Sequence, residues 1–278
     1  MTRVGFIGLG DMGGAIAERV IAAGFPTVLW ARRPETLQAF DSPHVEIATS
    51  PADLAARADV IGVCVWADDD VRHVLGGDEG VLAGCQPGTV IAVHSTILPE
   101  TCRELAANAG DQGVTFLDAP VSGGRMAVRD GTLVVAVGGD YEAVERCRPY
   151  LASFGNPVVH VGPVGSGQLV KLVNNALLAA NMTLADDALT IGQMLGVTPE
   201  AMHQVLRLGS GRSFALDVVF GARASAEVRE RAREPLEKDV QALATDPAVR
   251  EIEGVTAILE AAGEAIRRLA EPPPRWNS

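Results

Sequence analysis

Lys171 and Asn175 stand four residues apart in the stretch Gly165-Ser166-Gly167-Gln168-Leu169-Val170-Lys171-Leu172-Val173-Asn174-Asn175. Apolar residues recur around and beyond them at Leu169, Leu172, Val173, Ala176, Leu177, Ala180, Leu184, Ala188 and Ile191. That three-and-four spacing predicts a helix with a buried stripe, running from about residue 167 to 195. On such a helix Lys171 and Asn175 share a face, one turn apart. A lysine held among apolar side chains is disfavoured as the cation, which suits it to give or take a proton near neutral pH. The competing reading is a lysine that reaches the surface beside a solvated Asn.

Two further stretches carry chemistry. In Asp118-Ala119-Pro120-Val121-Ser122-Gly123-Gly124 the Ser122 hydroxyl stands beside two glycines that leave backbone N–H groups approachable. Such a turn is able to hold a small carboxylate, although a plain turn has the same composition. Near the N-terminus, Gly8-Leu9-Gly10-Asp11-Met12-Gly13 follows the apolar segment Val4-Gly5-Phe6-Ile7 and precedes a helical pattern. In that setting Gly8 permits a tight turn, Gly10 lets the backbone approach a pyrophosphate, and Gly13 allows close helix–strand packing. Amides at the helix N-terminus then face the phosphates of a dinucleotide.

The end of the next strand, Thr27-Val28-Leu29-Trp30, separates NAD from NADP, because an acid there binds the ribose 2′-hydroxyl. Here the chain reads Ala31-Arg32-Arg33-Pro34. Two guanidinium groups suit a 2′-phosphate and favour NADP, with NAD possible. The alternative is that the pair merely opens a surface helix.

These residues need a scaffold, and the remaining pattern supplies one. Strand-like runs near 45–48, 60–65, 88–93, 114–117, 132–137 and 157–161 alternate with helical runs at 51–57, 99–108 and 141–154. Ser50 is a candidate cap, and Asp68-Asp69-Asp70 opens a helix where carboxylates suit the macrodipole. The expectation is an α/β fold: a Rossmann-type, doubly wound, mostly parallel sheet over residues 1–163. Ligands bind at the carboxyl ends of such strands, where Ser95-Thr96 and Ser122-Gly123-Gly124 fall. After Gly162-Pro163 the strand pattern stops. Residues 164–278 read as an all-helical domain joined by the long helix, with helices near 199–208, 214–224, 229–244 and 249–270 and a frayed tail over 271–275.

Composition narrows the class. The net charge of -12 argues against nucleic acid and gives no attraction to an anionic membrane. No apolar run reaches the roughly 18 residues of a membrane span. No basic n-region precedes the first strand, so a cytoplasmic protein is expected. Cys64, Cys85, Cys102 and Cys147 are widely spaced and fit core residues in a reducing compartment. The five histidines lack metal-ligand spacing, and no metal is expected.

Together these motifs resemble the β-hydroxyacid dehydrogenases. Phe6 to Gly13 looks like the family's F-I-G-L-G-x-M-G loop. Asp118 to Gly124 is similar to its substrate-binding signature. Gly165-x-Gly167-x-x-x-Lys171-x-x-x-Asn175 is similar to its catalytic signature, and Lys238-Asp239 to its C-terminal K-D pair. The resemblance implies hydride transfer between a nicotinamide and a small hydroxy acid or its aldehyde or ketone. It makes Lys171 the proton donor in reduction and the base in oxidation. It assigns Asn175 to the substrate's hydroxyl or carboxylate, and Ser122, Gly123 and Gly124 to the carboxylate. Thr96 is placed near the nicotinamide and Lys238 near the cofactor. Arg32-Arg33 resembles the NADP-preferring branch. A homodimer or homotetramer built through the long helix is also implied. Two rivals share the nucleotide site: an imine reductase, which normally lacks lysine at the catalytic position, and a non-catalytic NADP-binding module, which has lost it. Arg212, in Gly209-Ser210-Gly211-Arg212-Ser213-Phe214, either binds a second anionic group or caps a helix.

Overall fold

A computed structural model describes residues 2–40, 42–252 and 255–271. The tail expected to fray lies outside the described residues from 272 onward. Contacts divide the chain into two compact units, 1–171 and 172–278, and the division falls inside one helix, Ser166–Met194.

The first unit is built on nine strands: β1 (Val4–Ile7), β2 (Thr27–Trp30), β3 (Val45–Ile47), β4 (Val60–Val63), β5 (Val90–Val93), β6 (Thr115–Asp118), β7 (Val121–Ser122), β8 (Leu133–Gly138) and β9 (Gly155–Gly162). Their order is β3-β2-β1-β4-β5-β6-β8-β7, with β9 paired to β8. The six strands from β3 to β6 are parallel. This is the doubly wound dinucleotide-binding order, whose direction of winding reverses between β1 and β4. The sheet is less uniform beyond β6. β8 runs antiparallel to β6 and β7: the chain continues past Asp118 into the two-residue β7 and reverses through the short Gly124–Asp130 helix.

β1, β4 and β5 are buried along their whole length, as continuous apolar runs predict for strands covered on both faces. Alternation sorts their side chains. Phe6 faces a core filled from helices Asp11–Ala22 and Tyr141–Leu151 by Ile16, Val20, Val144 and Tyr150. Ile7, Ile61 and Ile91 face the opposite core, filled by Leu54, Val71, Cys102 and Leu105. Ser50 caps the Pro51–Ala55 helix by accepting the Asp53 N–H at 3.0 Å.

The second unit is helical. The 166–194 helix presents Leu172, Ala176, Ala179, Met182, Ala185 and Leu189 to a core completed by helices Phe214–Ala224, Ala226–Thr245 and Thr256–Ala270. This corrects the stripe read from spacing alone. Leu172, Ala176 and Ala180 are buried, but Leu169, Val173, Leu177, Leu184 and Ile191 are exposed on the isolated chain. The helix is apolar on two faces, so periodicity alone did not say which one faces this core. Arg223, almost wholly buried, is held by Asp186 at 2.6 Å, and Arg268 bonds Asp186 and Asp187 at 3.0 and 2.7 Å.

Candidate active site

The nucleotide end of the site starts where β1 stops. Gly8 turns the chain at φ +93°, and a Cβ there would collide with the Cys64 carbonyl. A Cβ on Gly13 would collide with the Gly8 carbonyl, so the Asp11–Ala22 helix can begin this close to the strand only with glycine at 13. Gly10 has nothing within 4 Å of the place a Cβ would take, and the helix starts without a side-chain cap. Its first amides are therefore available to a pyrophosphate. Leu9 and Met12 pack partly into the core and hold the loop from beneath. Asp11, in the first turn, would repel a phosphate, but Arg125 balances it with an ion pair at 2.8 Å. Arg125 directly follows Gly124, so this pair ties the glycine-rich loop to the Ser122-Gly123-Gly124 turn.

Arg32 and Arg33 follow β2, the neighbour of β1, and both are exposed. Arg32 leans toward Asp70 at 3.6 Å. The Arg33 carbonyl accepts the Thr36 N–H and hydroxyl at the start of a short 3-10 helix.

The strand ends of β5 and β6 are cross-braced. Ser95 Oγ accepts the Val65 N–H at 2.8 Å. Thr96 and Ser122 are half-buried, while Gly123 and Gly124 are exposed, both at positive φ. His94 is buried, with Nδ1 at 2.8 Å from the Ala119 carbonyl and Nε2 at 2.7 Å from the Tyr150 hydroxyl. The carbonyl can only accept, so Nδ1 carries the proton and Nε2 accepts from Tyr150. Burial pushes the His94 pKa down to about 4. The unfolded chain therefore takes up this proton first as pH falls, and the folded state loses stability between about pH 6.5 and 4. The expected loss is on the order of 3 kcal/mol. Urea unfolding at pH 7 and 4.5 checks this: His94→Asn should flatten the acid limb, and an unchanged slope would dismiss it.

Asp118, wholly buried at the end of β6, ties this region to the helix that carries Lys171. Its carboxylate accepts the Gly165 N–H at 2.7 Å and the Gln168 N–H at 2.9 Å. Burial pushes its pKa up, against the pull of those donors. The Gln168 side chain is also buried, donating to the Ser95 carbonyl at 2.9 Å and accepting the Ile97 N–H at 3.1 Å. Lys171 is half-buried one turn beyond Gln168. Within the second unit Asn175 is buried and donates to Asp239 at 2.6 Å. Lys238 Nζ lies 3.6 Å from the other Asp239 oxygen. This fixes the Asn175 amide with its nitrogen toward the acid.

Asp118, Gln168, Asp239 and Arg125 act as braces that local spacing does not reveal, although the first three sit inside the quoted motifs. A polar residue within an otherwise apolar helical face, as Gln168 is, was the available signal. Arg212 is exposed, and the helix beside it is capped by Ser213, whose hydroxyl accepts the Leu216 N–H at 3.3 Å. Among the described residues no group of three or more His, Cys, Asp or Glu side chains is placed to hold a metal ion, and no helix is long and apolar enough to cross a membrane.

Residues 3–162 match the model of the NAD binding domain of 6-phosphogluconate dehydrogenase. Residues 165–271 match the model for NAD-binding of NADP-dependent 3-hydroxyisobutyrate dehydrogenase. The mitochondrial 3-hydroxyisobutyrate dehydrogenase of Rattus norvegicus is 37% identical over 216 residues, 78% of this chain and 64% of that protein. The chain thus spans just under two thirds of that relative's length. The NAD-dependent L-serine dehydrogenase of Pseudomonas aeruginosa is 35% identical over 218 residues, 78% of this chain and 73% of the relative. The structure of Mycobacterium tuberculosis 3-hydroxyisobutyrate dehydrogenase with L-serine superposes with a TM-score of 0.81 at 26% identity, covering 98% of this chain and 95% of the other. With both halves of the chain matched in order, and the Lys171–Asn175 helix beginning where the second match begins, the chain belongs to the β-hydroxyacid dehydrogenase family.

Proposed function

We propose that this protein interconverts a small β-hydroxy acid and its aldehyde or keto acid, using NADP in preference to NAD. The observation that carries the reading is the bracing of the Lys171 helix. Its first turn is bonded to the strand end that delivers Ser122-Gly123-Gly124 and to the backbone flanking Thr96. A proton carrier, a carboxylate-binding turn and the nicotinamide-side threonine are thereby held by one set of hydrogen bonds.

The residues present fit a dinucleotide: Gly8 and Gly13 shape the turn, and Gly10 leaves the backbone open. A reduced nicotinamide held there would supply the hydride needed at the substrate carbonyl carbon. The Lys171 ammonium gives its proton to the carbonyl oxygen, and in oxidation neutral Lys171 takes that proton back. Ser122 and the Gly123 and Gly124 amides bind the carboxylate. Asn175, its amide nitrogen engaged by Asp239 and its oxygen accepting from the Asn174 amide at 3.1 Å, offers that oxygen's second lone pair to the substrate hydroxyl. Lys238, beside Asp239, is assigned to the cofactor. Arg32 and Arg33 are assigned to the 2′-phosphate.

The test is a panel of small β-hydroxy acids, beginning with 3-hydroxyisobutyrate and L-serine, with NADP or NAD reduction followed by absorbance. Turnover of at least one of them is expected. Turnover only of cyclic imines with NADPH would move the protein to the imine-reductase reading, against which the lysine at 171 stands.

A homodimer, or a tetramer made from it, is part of the proposal. Val170, Leu177, Leu184 and Ile191 recur every seven residues on the 166–194 helix and are 46–62% exposed. A second copy of the chain would remove that apolar row from water. Light scattering at micromolar concentration should report a dimer or larger, and Leu177→Glu with Leu184→Glu should shift it toward monomer. A monomeric unmodified protein would end this part of the proposal. Free thiols at all four cysteines suit a reducing compartment, and the cytoplasm is proposed.

A further inference from the structure

An α-helix begins with N–H groups that have no partner within the helix, and a side chain at its own N-cap usually takes one of them. The Ser166–Met194 helix starts from glycine at the N-cap, Gly165, whose carbonyl accepts the Leu169 N–H at 3.0 Å. Glycine has no side chain to offer. The acceptor arrives from 47 residues earlier: one Asp118 oxygen takes the Gly165 N–H and the other takes the Gln168 N–H, at the third helical position. In a capping box those two donors are satisfied by two local side chains, the second being Glu or Gln at that third position. Here one carboxylate from β6 does both. The glutamine is left to reach outward, where it bonds the Ser95 carbonyl and the Ile97 N–H on either side of Thr96.

The glycines of the motif fit this docking. A Cβ on Gly167 would stand 2.8 Å from Asp118 Oδ2 and 2.6 Å from the Ala136 carbonyl, and a Cβ on Gly138 would overlap Asp118 Oδ1. Gly165 itself has φ +93°. Gly167 and Gly138 are needed because the carboxylate comes against bare backbone, and Gly165 because its φ is left-handed.

We propose that Asp118 and Gln168 are positioning residues for the proposed reaction: together they set the depth and rotation of the helix so that Lys171, three residues past Gln168, stands at a fixed place relative to Thr96 and Ser122. The inference rests on the reading of Lys171 as proton carrier. Neither residue takes part in proton transfer. A shift of about 1 Å in a reacting group is enough to cost on the order of 10²-fold in rate.

The test is a double-mutant cycle. Asp118→Asn keeps the shape of the side chain but sets an amide nitrogen against a backbone N–H. Gln168→Met keeps volume and helix propensity but removes both outward bonds. Each is made alone and in a Lys171→Met background, with 3-hydroxyisobutyrate or L-serine, whichever turns over faster, as the probe. Turnover is expressed per site that binds NADPH by fluorescence titration, which removes unfolded protein from the count. Alone, each variant should lose about tenfold or more in turnover per site, with the NADPH dissociation constant within about twofold. In the Lys171→Met background the same changes should cost less than about twofold, because the group they position is gone.

Equal losses in both backgrounds would show a general structural role and overturn the proposal, as would full turnover per site in Gln168→Met. If Asp118→Asn does not fold, Gln168→Met decides alone. Full activity in Lys171→Met would overturn the proton-carrier reading itself, and the positioning role with it. A dead Lys171→Met with an unimpaired Gln168→Met would overturn only the positioning role.

Discussion

Replacing Lys171 with Met should lower turnover by on the order of 10²–10⁴, the usual share of a positioned general acid or base. Met has nearly the helix propensity of Lys, so the Ser166–Met194 helix should persist. The residue is half-buried and its neighbours Val170 and Val173 are exposed on the isolated chain, so no tight packing is disturbed. Binding of NADPH should stay within about twofold, since the glycine-rich loop depends on Gly8 and Gly13 and not on this side chain. The two measurements together are diagnostic. Loss of turnover with intact cofactor binding places the defect in the chemical step. Loss of both would mean a damaged fold, and retention of both would remove Lys171 from the mechanism and favour the imine-reductase reading.

The second large effect concerns the cofactor. Arg32→Ala with Arg33→Ala should weaken NADPH by about 10–100-fold and NADH by no more than about threefold. A phosphate held by two guanidinium groups gains charge-assisted hydrogen bonds that NADH cannot make. The lower bound applies because both arginines are exposed and Arg32 already leans toward Asp70, so water and salt screen the contact. Raising the salt concentration should therefore narrow the preference in the unmodified protein. Equal dissociation constants for the two cofactors before mutation would remove the arginines from the proposal.

The motifs were legible as motifs because each is local. Gly8, Gly10 and Gly13 follow an apolar strand and precede an amphipathic helix, and the backbone conformation they need is visible in the residue types. Ser50 was readable as a cap for the same reason, its partner lying three residues away. That the strands from β3 to β6 run parallel also followed from alternation, since each strand is returned to the sheet by a crossover. The reversal at β8 did not, because the two-residue strand β7 and the Gly124–Asp130 helix are too short to leave a periodic signal.

The sequence by itself determined the nucleotide-binding half, the long helix and the one-turn spacing of Lys171 and Asn175, because these depend on neighbours within a few residues. The tertiary structure decided the rest. It chose which of two apolar faces of the long helix meets the helical core, and it selected Leu172, Ala176 and Met182 over Leu177 and Leu184. It matched Asn175 with Asp239, 64 residues away, and neutral His94 with Tyr150, 56 residues away. It also brought Asp118 to the bare N-terminus at Gly165. The physical reason is common to all of these. A buried polar group must find a partner wherever the fold places one, and a partner distant in the chain leaves no periodicity or spacing for a sequence to display.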